Sequence, residues 1–158
     1  MLHSLRAYMA ASDDEKLSEK TTTSLEDFVK SHNIGIDSLY IENQLSDKLD
    51  RPELLKLINE CKLDDVILVD DINILSRLTN KCWKKLQHAA QSKNVRVVAI
   101  NIPATYPSLK SSTEMNNNDG LSVSNNILIE VLGAINSEYN SRYSNKGKAK
   151  KRSAGRKP

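Results

Sequence analysis

Apolar residues in this chain fall into two patterns, short continuous runs and longer stretches with helical spacing. Val66–Val69 is a wholly apolar run rich in β-branched residues, which is typical of a strand covered on both faces. Residues 95–102, apolar apart from Arg96 and Asn101, predict a second buried strand, and Pro103 ends it. Residues 4–11 and 34–41 have the composition of further extended segments. The pattern therefore predicts four strands.

Helix signals occupy the intervals between these strands. Thr23 and Glu26 have the spacing of a capping box, which predicts a helix start at Thr23. Residues 50–53 read Asp-Arg-Pro-Glu, with Pro52 in the first turn, where the missing N–H costs nothing. A third helix is expected over residues 79–92. Strands that alternate with helices indicate an α/β fold, with a mainly parallel sheet of about four or five strands flanked by helices.

The C-terminal part of the chain has apolar residues at helical spacing from Ile127 to Tyr143. They predict a long helix of about 20 to 25 residues that frays from Ser144. We expect its first half to pack on its own domain, and its second half to serve dimerisation or DNA contact. The predicted organisation is an α/β domain over residues 1–120, a long helix over 121–146 and a basic tail over 147–158. Residues 106–120 are polar and predict a loop.

Composition excludes several classes of protein. The chain has 158 residues, of which 39% are hydrophobic, so it forms one domain with an aliphatic core. No apolar run approaches the ~20 residues of a membrane span, and the N-terminal residues lack the apolar segment typical of a signal peptide. Two cysteines cannot supply a four-ligand zinc site, and the five glycines form no phosphate-binding loop. The expected location is the cytoplasm.

Charge is distributed unevenly. Residues 142–158 contain eight of the 23 basic residues and no acidic one, whereas the rest of the chain has 15 basic and 20 acidic residues, a net charge of −5. An acidic body with a basic end indicates a polyanionic partner that is reached through that end. A solvated tail without a partner is the alternative, and charge alone leaves both open.

Five segments carry a resemblance when they are taken in order. They comprise residues 8–15 (Tyr-Met-Ala-Ala-Ser-Asp-Asp-Glu), 40–43 with 49–54, 65–69 with 73–78, 95–103, and 138–158. Together they resemble the catalytic domain of serine site-specific recombinases, the resolvase/invertase family. The resemblance implies a four-stranded parallel core followed by a long helix. It also implies a following helix-turn-helix that reads the DNA site, so we expect that this chain is either truncated at the hinge or lacks that module.

The resemblance also implies a chemistry. Such enzymes attack a DNA phosphodiester with a serine hydroxyl and form a phosphoserine link, without ATP, a metal or another cofactor. Ser12 stands at the position of the nucleophile, and Arg51 and Arg77 match two phosphate-binding arginines. Ser12 also suits a helix cap, and the arginines suit surface salt bridges to residues such as Glu53 or Asp47.

Several positions depart from the family pattern. Ala10 stands where the family has arginine, and Asn73 and Ile74 stand where it has an Asp-Arg pair. Near the end of the long helix, Arg142 or Tyr143 falls at another arginine position. Loss of one transition-state donor typically lowers the rate by ~10²–10³. We therefore expect recombination to be impaired, and a catalytically inactive structural or regulatory subunit is the main alternative. A plain protein-interaction module with a solubilising tail is a third.

The remaining expectations concern partners. The resemblance implies double-stranded DNA, nucleoid or plasmid association, and a homodimer or tetramer formed through residues 121–146. The residues expected to contact DNA are Arg142, Lys146, Lys148, Lys150, Lys151, Arg152, Arg156 and Lys157. Asp70 and Asp71 follow a buried strand and suit magnesium, but two acids in a loop are commonplace, and we expect no metal site.

Overall fold

The described part of the molecule alternates strands with helices. The computed structural model describes residues 4–10, 15–42, 51–109 and 125–155, with the backbone alone for residues 15–18 and 143–155. The strands are β1 (Leu5–Ala10), β2 (Ser38–Glu42), β3 (Val66–Val69) and β4 (Arg96–Ala99). The α-helices are α1 (Glu15–Ser31), α2 (Pro52–Glu60), α3 (Asn80–Ser92) and α4 (Asn125–Gly155). Two 3₁₀ helices cover Ile72–Leu75 and Pro103–Leu109.

The four strands of the described residues form one parallel sheet in the order β2-β1-β3-β4, which confirms the predicted fold. Tyr8 of β1 lies opposite Tyr40 on one side and opposite Val69 on the other. After β1 the chain adds β2 at one side, and it then adds β3 and β4 at the other. In open α/β sheets, ligands bind outside the carboxyl ends of the strands where the order reverses in this way. That point lies here between β1 and β3.

Both faces of the sheet are covered at β1, β3 and β4, whereas Leu39 and Ile41 of the edge strand β2 are exposed. The two-residue period of each strand decides which side chains each face receives. Tyr8, Ile67 and Val97 point into a core that α2, α3 and the first part of α4 complete. Ala7 and Leu68 point the other way, into a smaller core completed by α1. Burial of β3 on both faces explains the uninterrupted apolar run Val66–Val69 in the sequence.

Two helix starts differ in how well local signals predicted them. Helix α1 begins at Glu15, so the predicted start at Thr23 is wrong, and the capping-box spacing lies inside the helix. The preceding residues include Glu, Lys and Leu, which are good helix formers, and they extend the helix upstream. Helix α2 begins at Pro52 as predicted, after Arg51, which makes no side-chain cap. The Glu42 carboxylate accepts instead from the amides of Glu53 and Leu54, both at 3.3 Å.

An ion pair fixes the amino ends of the strands. The Arg6 guanidinium donates to Asp65 at 2.9 Å, and both side chains are buried. Asp65 also accepts from the amides of Ser4 at 3.0 Å and Lys62 at 2.8 Å. Burial by itself would raise the pKa of Asp65, but the Lys62 amide and the Arg6 guanidinium outweigh burial, so the pKa lies below its usual value. Asp65 is therefore a fully hydrogen-bonded anion that ties β1 to the start of β3.

Two predicted boundaries near the end of the sheet are also corrected. Strand β4 ends at Ala99, not at residue 102, because the Ile102 amide turns back to donate to the Ala99 carbonyl. The 3₁₀ helix Pro103–Leu109 includes residues 106–109 of the predicted loop, and within it the Tyr106 hydroxyl donates to the Ile100 carbonyl at 2.6 Å. The remainder of that loop lies outside the described residues.

Helix α4 is longer than its sequence predicts. It spans 31 residues and passes Ser144 without fraying, because Lys, Ala and Arg beyond that point are strong helix formers. Its first half packs on the domain through buried Leu128, Ile129 and Leu132. Gly133 permits the close approach to α3, since a Cβ there would lie 3.0 Å from the ring of Trp83.

Candidate active site at the carboxyl ends of the strands

A cleft of about 500 Å³ opens at the carboxyl ends of β1 and β3. Its lining comes from the end of β1, from α1, from the start of α2 and from the loop after β3. The lining residues are Tyr8, Met9, Ala10, Thr21, Arg51, Asp70, Asp71, Asn73, Ile74, Ser76 and Arg77. This is the place where the reversal of strand order predicts a ligand site.

The cleft brings together positions that are far apart in the sequence. Arg51 and Arg77, the two matched arginines, both line it. Ala10 and Ile74, the two positions where the family has arginine, line it as well. Ser12 lies outside the described residues, two positions after Ala10 in the chain. The described part of the expected site therefore converges on one cavity, with two guanidinium groups and two uncharged side chains.

Arg51 is held by the backbone of the loop that follows β3. We call residues 70–79 the cleft loop. The buried Arg51 side chain donates from one terminal nitrogen to the carbonyl of Ile74 and from the other to the carbonyl of Arg77, the latter at 3.2 Å. A guanidinium has five N–H donors, so these bonds fix its position and leave further donors. The Arg77 side chain itself is exposed at the cleft.

A buried tyrosine and glutamate lie beneath Arg51. The Tyr8 hydroxyl donates to the Glu42 carboxylate at 2.9 Å, and it also receives a hydrogen bond from Arg51. Burial raises the pKa of Tyr8 far above its usual value, although the Arg51 charge opposes this effect, so the phenol is neutral. No sequence pattern predicts a role for either residue. The sequence feature that could have indicated Glu42 is its position at the end of a predicted strand, shortly before the helix start at Pro52.

Two acidic residues follow β3, and they do different things. Asp71 accepts from the Asn73 amide at 2.9 Å and from the Asn101 side chain at 3.0 Å, so it caps the first 3₁₀ helix. Asp70 lines the cleft, and burial together with the charge of Asp71 raises its pKa, against a hydrogen bond from Ser24. Within residues 4–10, 15–42, 51–109 and 125–155, no three metal-ligating side chains lie close enough to hold an ion.

The predicted DNA-contacting residues lie on α4 and beyond it. Arg142 pairs with Glu138 at 2.5 Å, with side chains 75% and 63% exposed, which is the kind of surface pair that stabilises a helix only weakly. Lys146, Lys148, Lys150, Lys151 and Arg152 have helical backbone but undescribed side chains. Arg156 and Lys157 lie outside the described residues.

No helix in the described ranges is both long and apolar enough to span a bilayer. Helix α4 instead combines a buried face with exposed apolar residues. Ile127, Val131 and Ile135 recur every four residues and are 55%, 50% and 43% exposed. They form an apolar stripe on the side of α4 that does not pack on the domain.

Comparison with known proteins agrees with this architecture. The family model described as "Resolvase, N terminal domain" matches residues 7–157. The N-terminal catalytic domain of TP901-1 integrase is similar at a TM-score of 0.52 and 17% identity, over 87% of this chain and 97% of that one. A resolvase family site-specific recombinase from Streptococcus pneumoniae has a TM-score of 0.54 and 14% identity, over 99% and 100% of the two chains. No curated protein sequence matches the chain.

Proposed function

The chain belongs to the resolvase family of serine site-specific recombinases, and we propose that it breaks and rejoins double-stranded DNA slowly, through a phosphoserine at Ser12. The observation that carries the proposal is the cleft at the carboxyl ends of β1 and β3. There the two matched arginines lie beside the two positions that have lost arginine.

The proposed reaction needs three groups. The Ser12 hydroxyl gives up its proton as its oxygen forms a bond to phosphorus. The bond from phosphorus to the DNA 3′ oxygen breaks, and that oxygen takes up a proton and leaves as a 3′ hydroxyl, so one proton is released for each one consumed. Arg51 and Arg77 neutralise the charge that develops on the non-bridging oxygens. The reverse reaction reseals the strand, because the phosphoserine conserves the phosphoester bond. No external energy source is required for either direction.

The contacts in the cleft support a slow reaction. Two donors of Arg51 already serve the backbone of the cleft loop. Ile74 presents an apolar side chain to the cleft, and Asp70 adds a carboxylate. Each missing transition-state donor lowers the rate by ~10²–10³, although two losses need not multiply. Strand exchange is therefore expected to be far slower than in relatives with all the arginines.

Trapping of a covalent adduct tests the chemistry. The substrate is a pool of random-sequence duplexes, each with one nick. Where cleavage falls close to the nick, the short strand with the freed 3′ hydroxyl dissociates, so rejoining is blocked and the phosphoserine adduct accumulates. We expect a slow adduct that Ser12→Ala abolishes. Ser12→Ala that leaves adduct formation unchanged would refute the assignment of the nucleophile.

We also propose that α4 and the basic tail bind the DNA backbone. Eight cations between residues 142 and 158 support this, and the weak Glu138–Arg142 pair can exchange for a phosphate. Each neutralised phosphate adds about 0.9 to the slope of log affinity against log salt. Fluorescence anisotropy with a random-sequence duplex, from about 50 to 300 mM salt, measures that slope.

A charge-matched pair of variants makes this experiment specific. Replacing Lys148, Lys150 and Lys151 with Gln should lower the slope by about two to three. Replacing Lys56, Lys84 and Lys85, exposed lysines of α2 and α3, changes the net charge equally and should leave the slope nearly unchanged. A flat salt dependence of the unaltered chain would remove DNA from its function.

The exposed apolar stripe of α4 supports assembly with a second copy of the chain. Val131→Glu places a charge in the middle of the stripe and should shift sedimentation toward the monomer. Asn126→Glu, an exposed position on the same helix, is the matched control. Equal sedimentation of both variants would count against this interface.

The second candidate function is a subunit that dimerises and occupies DNA without cutting it. The uncharged side chains of Ala10 and Ile74 in the cleft favour it. It predicts salt-dependent DNA binding with no adduct at any site, so the trapping and anisotropy experiments together separate the two functions.

A further inference from the structure

Asn136 is a fully buried polar residue in the packed face of α4. It is 0% exposed and continues, at four-residue spacing, the apolar row of Leu128 and Leu132. Its side-chain oxygen accepts from the Leu78 amide at 2.8 Å. Its side-chain nitrogen donates to the carbonyls of Leu75 and Leu132, both at 2.9 Å. An apolar side chain would suffice for helix packing, and a buried amide costs free energy unless it is hydrogen-bonded. The amide at this position therefore indicates a role for its hydrogen bonds.

Asn140 repeats the arrangement one turn later. Its side-chain nitrogen donates to the Leu78 carbonyl at 3.0 Å and to the Asn136 carbonyl at 2.7 Å. The two asparagines therefore bind three backbone groups of the cleft loop, namely the Leu75 carbonyl and the Leu78 amide and carbonyl. Helix α4 passes the cleft loop at this point.

The same loop is held from its other side by Arg51. Arg51 takes the carbonyls of Ile74 and Arg77, and the asparagines take those of Leu75 and Leu78, the next residue in each case. The Arg77 carbonyl and the Leu78 amide belong to one rigid peptide plane, and Arg51 binds the carbonyl while Asn136 binds the amide. A shift of α4 at Asn136 therefore moves a carbonyl that holds Arg51.

We propose that Asn136 and Asn140 are positioning residues that make the placement of Arg51 and Arg77 in the cleft depend on the position of α4. The inference rests on the proposed function only for the role of these arginines as phosphate ligands. Helix α4 also carries the exposed apolar stripe and the basic residues from Arg142 onward. A displacement of α4 on binding at either surface is therefore transmitted to the cleft loop through the two asparagines. Assembly or DNA binding is thereby coupled to the arrangement of the catalytic arginines.

A third asparagine of α4 provides the matched control. The Asn125 side chain accepts from the Val97 amide and donates to the Val95 carbonyl, both at 3.0 Å. It clamps the same helix to β4, but at the amino end of the sheet. Asn125 precedes Asn136 by about 16 Å of helix. Asn125→Ala therefore weakens the attachment of α4 without touching the cleft loop.

The first measurement needs no DNA. In the full-length chain, ¹⁵N NMR of the Arg51 guanidinium reports how firmly its terminal nitrogens are held. We expect roughly tenfold faster hydrogen exchange in Asn136→Ala and in Asn140→Ala, and no change in Asn125→Ala. Asn140→Ala leaves Asn136 in place. If Asn136→Ala does not fold, the exchange rate of Arg51 in Asn140→Ala tests the proposal. Unchanged exchange in a folded Asn140→Ala protein, or equal acceleration in Asn125→Ala, would overturn the proposal.

The second measurement separates positioning from binding. With nicked duplexes, Asn140→Ala should form the Ser12 adduct about tenfold more slowly while its affinity for the duplex stays the same. An adduct rate equal to that of the unaltered chain would also overturn the proposal. If no variant forms an adduct, the proposed recombinase chemistry fails, and the Arg51 exchange rates alone then decide whether the asparagines position the arginine.

Discussion

The guanidinium of Arg51 donates a hydrogen bond to the backbone carbonyl of Ile74. Ile74 is one of the positions at which this chain has an apolar residue and the family has arginine. One of the matched arginines thus holds the backbone at the position where another is missing. For the proposed reaction, the cleft therefore has fewer free cationic donors than the family pattern implies.

Arg51→Lys should lower the stability of the fold. A lysine ammonium is a point charge that cannot reach both the Ile74 and the Arg77 carbonyl as the planar guanidinium does. Loss of one hydrogen bond from a charged donor to a partly buried carbonyl should lower the free energy of unfolding by about 1–3 kcal/mol, measured by urea denaturation. Arg77→Lys, at an exposed position, is the control and should stay within about 0.5 kcal/mol. Equal effects of both substitutions would contradict the assignment of Arg51 as a tie to the cleft loop.

Ile74→Arg should accelerate adduct formation on nicked DNA. The substitution supplies a cationic donor at a residue that lines the cleft, and one transition-state donor is typically worth ~10²–10³ in rate. Ile74→Met keeps an apolar side chain of similar size and is the control. If the arginine and methionine variants react equally slowly, the missing guanidinium at this position is not what limits the reaction.

Anion binding in the cleft should strengthen as the pH falls. Burial and the charge of Asp71 raise the pKa of Asp70 above the ordinary aspartate value of about 3.9. Asp70 therefore takes up a proton at a higher pH than an ordinary aspartate does. Once protonated, it no longer repels an anion. Sulfate, whose charge is constant across this range, is a suitable probe for calorimetric titration. Asp70→Asn should bind sulfate more tightly at neutral pH and with little pH dependence. Asp27→Asn, on the exposed side of α1, should behave like the unaltered chain.

Stability toward acid should depend on Asp65. Because its pKa is lower in the folded chain than in the unfolded one, its contribution is complete above about pH 4. That contribution is lost as the pH falls toward the folded-state value. Asp65→Asn should cost about 3–5 kcal/mol at neutral pH, because Arg6 is left buried and unpaired. Below about pH 4, the free energy of unfolding measured by urea titration should then fall less in this variant than in the unaltered chain. A curve parallel to that of Glu130→Gln, an exposed position, would contradict this role.

Local sequence patterns determined much of the fold. Val66–Val69 reads as a buried strand because the run has no polar residue, and Pro52 marks a helix start because its backbone fits only the first turn. The capping-box spacing at Thr23 failed because propensity upstream of it prolongs α1 to Glu15. Motif order also brought Arg51 and Arg77 into one predicted site, and the cleft contains both.

The sequence by itself thus determined the alternation of strands and helices, the division into an acidic body and a basic end, and the two arginines that match the family pattern, Arg51 and Arg77. Only the tertiary structure decided what those side chains touch. Arg51 binds carbonyls 23 and 26 positions away, and Asn136 binds an amide 58 positions away. Hydrogen bonds at such separations depend on how helices cross the sheet, and no local pattern encodes that geometry. For this reason two asparagines that resemble ordinary helix-surface residues in the sequence form the link between α4 and the cleft.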